Sequence, residues 1–336
     1  MEVVKLMKAI VYTDYGSPDV LHLAEVTKPT PKDTEILIRV YASPVNYGDT
    51  AARNFKAMTA KTFNMPAVLL IPAKLAFGLR HPRIKILGNE FVGVVETVGS
   101  AVTRFKTGDE VFGYRGPSFG AYAEYVCIRE DGVVALKPAN LSYEEAATVP
   151  YGACTALGLL RRVPIQKGQK VLINGASGSI GSYALQLAKH YGAEVTGVCG
   201  TPRLDFVKSL GADHVIDYTR EDFTHNGEIY DLIFDVLGRI SFAHCKNSLS
   251  EHGRLLYASF KTKQLLQMLT IRGSKKVICA MTTAKSGDLL QIKELVEAGE
   301  IKTVVDRCYP MEQAAEAHRY AESGQKKGPV IITVMH

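Results

Sequence analysis

Gly175-Ala176-Ser177-Gly178-Ser179-Ile180-Gly181 sets three glycines at even spacing between an apolar run, VLIN, and a helical stretch, SYALQLAKHY. Glycine at 178 clears room for backbone to approach a pyrophosphate, and glycine at 181 lets a helix close on the preceding strand. The helix start then offers unpaired N–H groups and partial positive charge to the phosphates. Glycines in this pattern are a weak signal alone; a strand before them and a helix after them make a dinucleotide-binding turn. Gly175, Ser177, Gly178, Ser179, Ile180 and Gly181 are the predicted contacts. The next strand runs out through Val198-Cys199-Gly200-Thr201-Pro202-Arg203, with no carboxylate to accept from ribose hydroxyls. Glu194 stands at the wrong end of that strand and Asp205 inside the following helix. Arg203 offers a planar donor fork to a 2′-phosphate, with the Thr201 hydroxyl beside it and Tyr218 after the third strand, and such charged hydrogen bonds contribute about 1.5–3 kcal/mol each. The expected cofactor is NADP(H). A second stretch, ILGNEFVG (86–93), sets asparagine against glutamate in an apolar run and asks whether half of a metal site stands there.

The elements that must position these residues follow from periodicity. From Gln169 onward strands alternate with helices: VLIN (171–174), EVTGV (194–198), HVID (214–217), DLIFDV (231–236), RLLYAS (254–259) and KVICAM (276–281). Two corners share a phrase, YGAEV and LGADHV, in which glycine ends a helix in the left-handed conformation and a strand follows at once. The expected class is α/β, a Rossmann doubly wound parallel sheet. Before Pro138 the chain is a series of short strand-like runs broken by glycine and proline, which reads as a twisted β domain. A last helix (314–323) and strand (329–334) are expected to return and pack on that first half.

Composition narrows the function classes. The 336 residues suit two domains, and the net charge of +6 is spread along the chain, which argues against nucleic acid and for small anionic ligands. The six cysteines lie far apart with no Cys-x-x-Cys pair, giving neither a disulfide framework nor a structural zinc lobe. MEVVKLMKAIVY runs into a strand pattern without a cleavage site, and no stretch has the length of a membrane span. A cytoplasmic protein is expected.

The chain resembles the zinc-independent, quinone oxidoreductase-like branch of the medium-chain dehydrogenase/reductase superfamily. The carrying motifs are SPVNYGDTAARN (43–54), LGNEFVGVVETVG (87–99), FKTGDEVFG (105–113), GAYAEYV (120–126), INGASGSIGS (173–182), FVKSLGADHVIDY (206–218) and YDLIFDVLG (230–238). The resemblance implies a GroES-like, mainly-β catalytic domain over 1–138, a Rossmann NADP-binding domain over 139–284, a return to the catalytic domain over 285–336, and a homodimer. Zinc members place cysteine and histidine where this chain has Asn46, Asn89 and roughly Tyr151, and amides and a phenol are poor zinc ligands. No metal is expected, and the cysteine-rich structural zinc loop is missing between Gly113 and the next strand. Without a Lewis acid, alcohol oxidation becomes less favourable, whereas a quinone or an enone needs less help.

The roles that follow are expectations. Asn46 donates its amide to the acceptor oxygen and Tyr151 is a proton source. Asp49 and Arg53 match the family's Asn-x-x-Asp-x-x-x-Arg pattern and either pair to hold the loop or touch substrate. Ala51 stands where many quinone reductases have tyrosine. Thr155 lies near the nicotinamide, Val236, Leu237 and Gly238 beside its ribose, and Ser259 at the next strand end. The acceptor is a small hydrophobic molecule. Two insertions, one within 55–86 and KTKQLLQMLTIRGSKK after the fifth strand, could roof the cleft, make a subunit contact or add core, and the first could also meet lipid phosphates at a membrane surface. Competing readings are an NADP-dependent alcohol dehydrogenase and a nucleotide-binding regulatory protein with little turnover.

Overall fold

Alternating apolar residues and glycine-rich corners build the first half as strands. In the computed structural model, which describes residues 5–336, β1 (Leu6–Val11) and β2 (His22–Thr27) form an antiparallel pair. The first four residues of the N-terminal segment lie outside that description. A long strand, β3 (Glu35–Pro44), leads into helix α1 (Tyr47–Arg53), and helix α2 (Leu70–Phe77) lies in the first insertion. Strands β4 (Glu90–Val98), β5 (Glu110–Tyr114), β6 (Tyr125–Arg129) and β7 (Val133–Leu136) complete this half. Two helices, α3 (Tyr143–Ala147) and α4 (Pro150–Leu160), cross to the second half.

There β8 (Lys170–Asn174), α5 (Ser179–His190), β9 (Glu194–Cys199), α6 (Leu204–Ser209) and β10 (His214–Asp217) alternate as strand and helix. The pattern continues through β11 (Tyr230–Asp235), α7 (Phe242–Cys245), β12 (Leu249–Tyr257), α8 (Thr262–Thr270) and β13 (Lys276–Cys279). All six strands are parallel in the order β10-β9-β8-β11-β12-β13, so the order reverses between β8 and β11. In such sheets a ligand crevice opens at the strand ends beside that reversal. Gly192 (φ 81°) and Gly211 (φ 97°) close α5 and α6 in the left-handed region.

The chain then returns. Helix α9 (Ser286–Glu297) packs on α4 within the core of the parallel sheet, so this part of the segment after 285 stays with the second half. Strand β14 (Arg307–Pro310), helix α10 (Ala314–Glu322) and strand β15 (Val330–Thr333) join the first half, where β15 pairs antiparallel with β3. That sheet runs β14-β15-β3-β4-β5-β7, with β6 also on β3. Its own core holds Ile36, Ile38, Phe91 and Ile332, while Ala42, Val92 and Phe112 share a cluster with Ala153 and Leu157 of α4. Apolar contact through α4 thus fixes one half against the other. Among the described residues, no helix is long and apolar enough to cross a membrane.

Candidate active site

The glycine turn has the shape its sequence requires. Gly178 is extended (φ −83°, ψ 170°) immediately before α5, and a Cβ on Gly181 would stand 2.1 Å from the Gly175 carbonyl. No side chain other than hydrogen fits there, because the contact is with backbone that cannot yield. The next turn, after β11, is held by Asp235, which is fully buried. Its carboxylate accepts from Asn174 Nδ2 (2.8 Å) and from the backbone N–H groups of Leu237, Gly238 (both 3.1 Å) and Ile240 (2.7 Å). That fixes Leu237 over Gly175. A recess of about 460 Å³ opens here, walled by Val198, Ile216, Leu237 and Ile240, with Tyr218 and Arg220 also lining it. A narrower one lies between Ser177-Gly178-Ser179, Asn46 and Lys326.

Beyond the ends of β9 and β12 three expectations change. The Thr201 hydroxyl donates to Asp217 (2.5 Å), a carboxylate from the neighbouring strand that also accepts from Thr219 Oγ1 (2.7 Å). Those bonds hold Asp217 below the usual carboxylate range, and they leave Thr201 an acceptor instead of a free donor. Arg203 spends Nε on the Lys326 carbonyl (2.9 Å) and Nη2 on the Gly324 carbonyl (2.8 Å), so the fork expected to grip a 2′-phosphate clasps the returning loop. Ser259 donates its hydroxyl to the Asn64 carbonyl (3.0 Å), linking the two insertions, while its own carbonyl crowds Gly238. In exchange the fold brings in Lys326, whose ammonium is pushed down by burial and then by Arg203.

The other wall is a cluster of buried polar side chains. Asn46 ends β3 and begins α1, where Asp49 accepts from the Asn46 N–H (3.0 Å) and from the Gly88 N–H (2.9 Å). The Asn46 amide donates to Glu90 Oε2 and to Asn89 Oδ1 (3.2 Å), so both of its protons are committed and the expected bond to an acceptor oxygen has no donor to spare. Glu90 also accepts from the Tyr151 N–H (2.6 Å), which makes it the link between Asn46 and Tyr151. Burial pushes Asp49 up to about 7 and Glu90 up to about 8, against opposing hydrogen bonds in each case. Glu90 thus keeps its proton near neutrality. Tyr151 is raised to about 12 by burial and by Glu90, and its ring tilts against Tyr114 at 5.4 Å between centroids. Beside them a cavity of about 500 Å³ is lined by Tyr114, Arg115, Tyr151, Thr155 and Thr282. This donor set does not fit a zinc ion: amides, a phenol and one carboxyl that favours its neutral form stand where thiolates and imidazoles are needed.

Arg53 does not meet Asp49. It is 2 % exposed, donates from Nη2 to both carboxylate oxygens of Glu322 of α10 (2.9 and 2.8 Å), and contacts His318 Nδ1 at 2.8 Å through Nη1 and the Gly16 carbonyl at 3.1 Å through Nε. Burial, then the Arg53 charge, lowers His318 to about 3, which leaves the ring neutral and Nδ1 free to accept. The pair expected inside one helix is a strap between the two chain ends. Glu90, Asp235 and Lys326 were missed as site residues. The first two had a signal, an acid directly abutting an apolar run at a strand end; Lys326 in its loop had none.

Residues 32–138 match the alcohol dehydrogenase GroES-like domain family, and residues 210–332 match the zinc-binding dehydrogenase family. The chain is 33% identical over 343 residues to a chloroplastic NADPH-dependent alkenal/one oxidoreductase of Arabidopsis thaliana, covering 98% of this chain and 80% of that protein. It is 34% identical over 340 residues to 2-methylene-furan-3-one reductase of Solanum lycopersicum, covering 97% and 79%. The solved quinone oxidoreductase of Coxiella burnetii superposes with a TM-score of 0.84 at 28% identity, covering 98% of this chain and all of the other.

Proposed function

Because the chain belongs to the quinone oxidoreductase-like family of medium-chain dehydrogenases/reductases, we propose that it is an NADPH-dependent, zinc-free reductase of quinones or α,β-unsaturated carbonyls. The observation that carries this reading is the cluster of Asn46, Asn89, Glu90 and Tyr151, whose chemistry suits proton custody and not metal binding. NADPH supplies the hydride when bound. Gly178 leaves room for its pyrophosphate, Ser177 and Ser179 turn backbone N–H groups toward it, Lys326 adds a cation across the narrow recess, and the apolar recess takes the adenine. Tyr218, Arg220 and the remaining edge of Arg203 are assigned to the 2′-phosphate. Thr155, Val236, Leu237 and Gly238 are assigned to the nicotinamide half.

Hydride added to an enone leaves charge on the carbonyl oxygen. Tyr151, neutral across the physiological range, is the donor for that oxygen, and Tyr114 shields it from water. Asn46 and Asp49 act by holding position: one tethers Glu90, the other shapes the turn that begins α1. A homodimer suits the unpaired edge of β13.

Following NADPH absorbance with a panel of enones and quinones, with and without chelator, tests the reading. Consumption that survives chelation supports it, and Tyr151→Phe should lower kcat about a hundredfold while leaving NADPH binding intact. Alcohol-driven reduction of NADP that needs a bound metal would overturn it, as would cofactor binding with no consumption across the panel.

A further inference from the structure

Charge is distributed unevenly along this chain. Residues 54–89 carry six Lys and Arg and no Asp or Glu, and residues 259–287 again carry six and none. The rest of the chain holds 28 Lys and Arg against 34 Asp and Glu, so a protein of net +6 is a negative body with two positive insertions. The insertions touch, through Ser259 to the Asn64 carbonyl and Lys261 to the Lys61 carbonyl. None of the twelve cations forms an ion pair among the described residues.

The first insertion adds an apolar stripe. Val68, Ile71, Leu75 and Leu79 recur at helical spacing along α2 and its flanks and are 76%, 71%, 50% and 61% exposed. They are not waiting to fold inward, because the inner side is already anchored. Phe77 stacks on Phe55 at 4.6 Å and meets Phe119 edge-on at 6.2 Å, while the Tyr15 hydroxyl donates to the carbonyls of Phe77 and Gly78 (2.7 and 2.8 Å). Arg80, Arg83 and Lys85 follow the stripe, all exposed.

We propose that the surface of α2 and the cationic stretch after it docks onto an anionic lipid surface, the aliphatic stripe entering the headgroup boundary and Arg80, Arg83 and Lys85 meeting phosphate and carboxylate groups. Aliphatic side chains flanked by unpaired cations are the composition of an interfacial segment. A second copy of the chain fits this surface poorly, since a twofold contact through α2 would set Arg80, Arg83 and Lys85 against their own copies. A nucleic acid fits poorly as well, because the exposed side chains are aliphatic and offer no stacking platform. The inference stands apart from the reductase reading, as it uses no residue of the cleft.

Cosedimentation with phosphatidylcholine vesicles, with and without phosphatidylserine, tests it on the full chain. Binding should require phosphatidylserine, weaken in high salt, and fall about a hundredfold in the triple variant Arg80→Gln, Arg83→Gln, Lys85→Gln. Ile71→Ser with Leu75→Ser should reduce binding about tenfold or more, with consumption of NADPH by a water-soluble enone unchanged. The proposal is overturned if the parent protein ignores phosphatidylserine vesicles, binds neutral ones equally, or binds a DNA duplex as tightly. It is overturned too if the serine variant changes oligomeric state in sedimentation while vesicle binding is absent.

Discussion

The two walls of the cleft solve opposite problems. On the parallel-sheet side the donors are backbone N–H groups at the start of α5, unspent and cheap to specify, because a short run of glycines is enough to expose them. On the opposite side Asn46, Asn89, Glu90 and the Tyr151 backbone satisfy one another, and two carboxyls sit where water cannot reach them. One wall is arranged to receive charge from a ligand, the other to keep protons the solvent would take. Burial explains the difference: an open N–H invites an anion, whereas exclusion of water raises Asp49 and Glu90 even though their hydrogen bonds pull the other way.

The contrast breaks most sharply at Gly181. Replacing it with valine should abolish measurable NADPH binding by fluorescence titration, a loss of roughly a thousandfold, because the new side chain collides with backbone; circular dichroism should still report a folded protein. Arg53→Ala should cost about 3 kcal/mol and lower the melting temperature markedly, since it empties a buried site and leaves the buried His318 Nδ1 without a donor, while the exposed Glu322 is taken up by solvent. Asp49→Asn should not mimic it; equal losses would restore the discarded pairing.

A pH series sharpens the proton-keeping side. Glu90 in the folded protein releases its proton at about 8 instead of its ordinary 4.5, whereas the unfolded chain gives the proton up near 4.5. Stability from this group is therefore full in acid, declines as pH rises toward about 8, and levels off above. In Glu90→Gln that decline should flatten, and the melting temperature of the parent relative to the variant should fall by several degrees between pH 5 and 8. Parallel curves would mean Glu90 titrates normally. The smallest effect belongs to Lys326→Ala, expected to weaken NADPH about tenfold by calorimetry, and more at low salt than at high.

These walls also differ in how readable they were. The glycine turn is contiguous, and its flanking strand and helix announce themselves through periodicity, so its residues and the parallel sheet follow from sequence alone. The polar wall is assembled over distance. Asn46 meets a carboxylate 44 residues away, and Arg53 is 265 and 269 residues from His318 and Glu322. Asp49 suggested itself as the partner of Arg53 because it lies one helical turn away, yet the backbone of the α1 turn claimed it first. Arg203 went astray for the same reason: local position put it at the phosphate, and a loop 121 residues onward supplied carbonyls that took its donors.

The two arginines have one more consequence. Arg53 grips Glu322 from the first half and Arg203 grips Gly324 and Lys326 from the second, so a few residues of backbone form a short leash across the gap. An extended chain reaches about 3.4 Å per residue, which limits the two-residue span from Glu322 to Gly324 to roughly 7 Å. Any wider gape between the halves requires one guanidinium to release its hold.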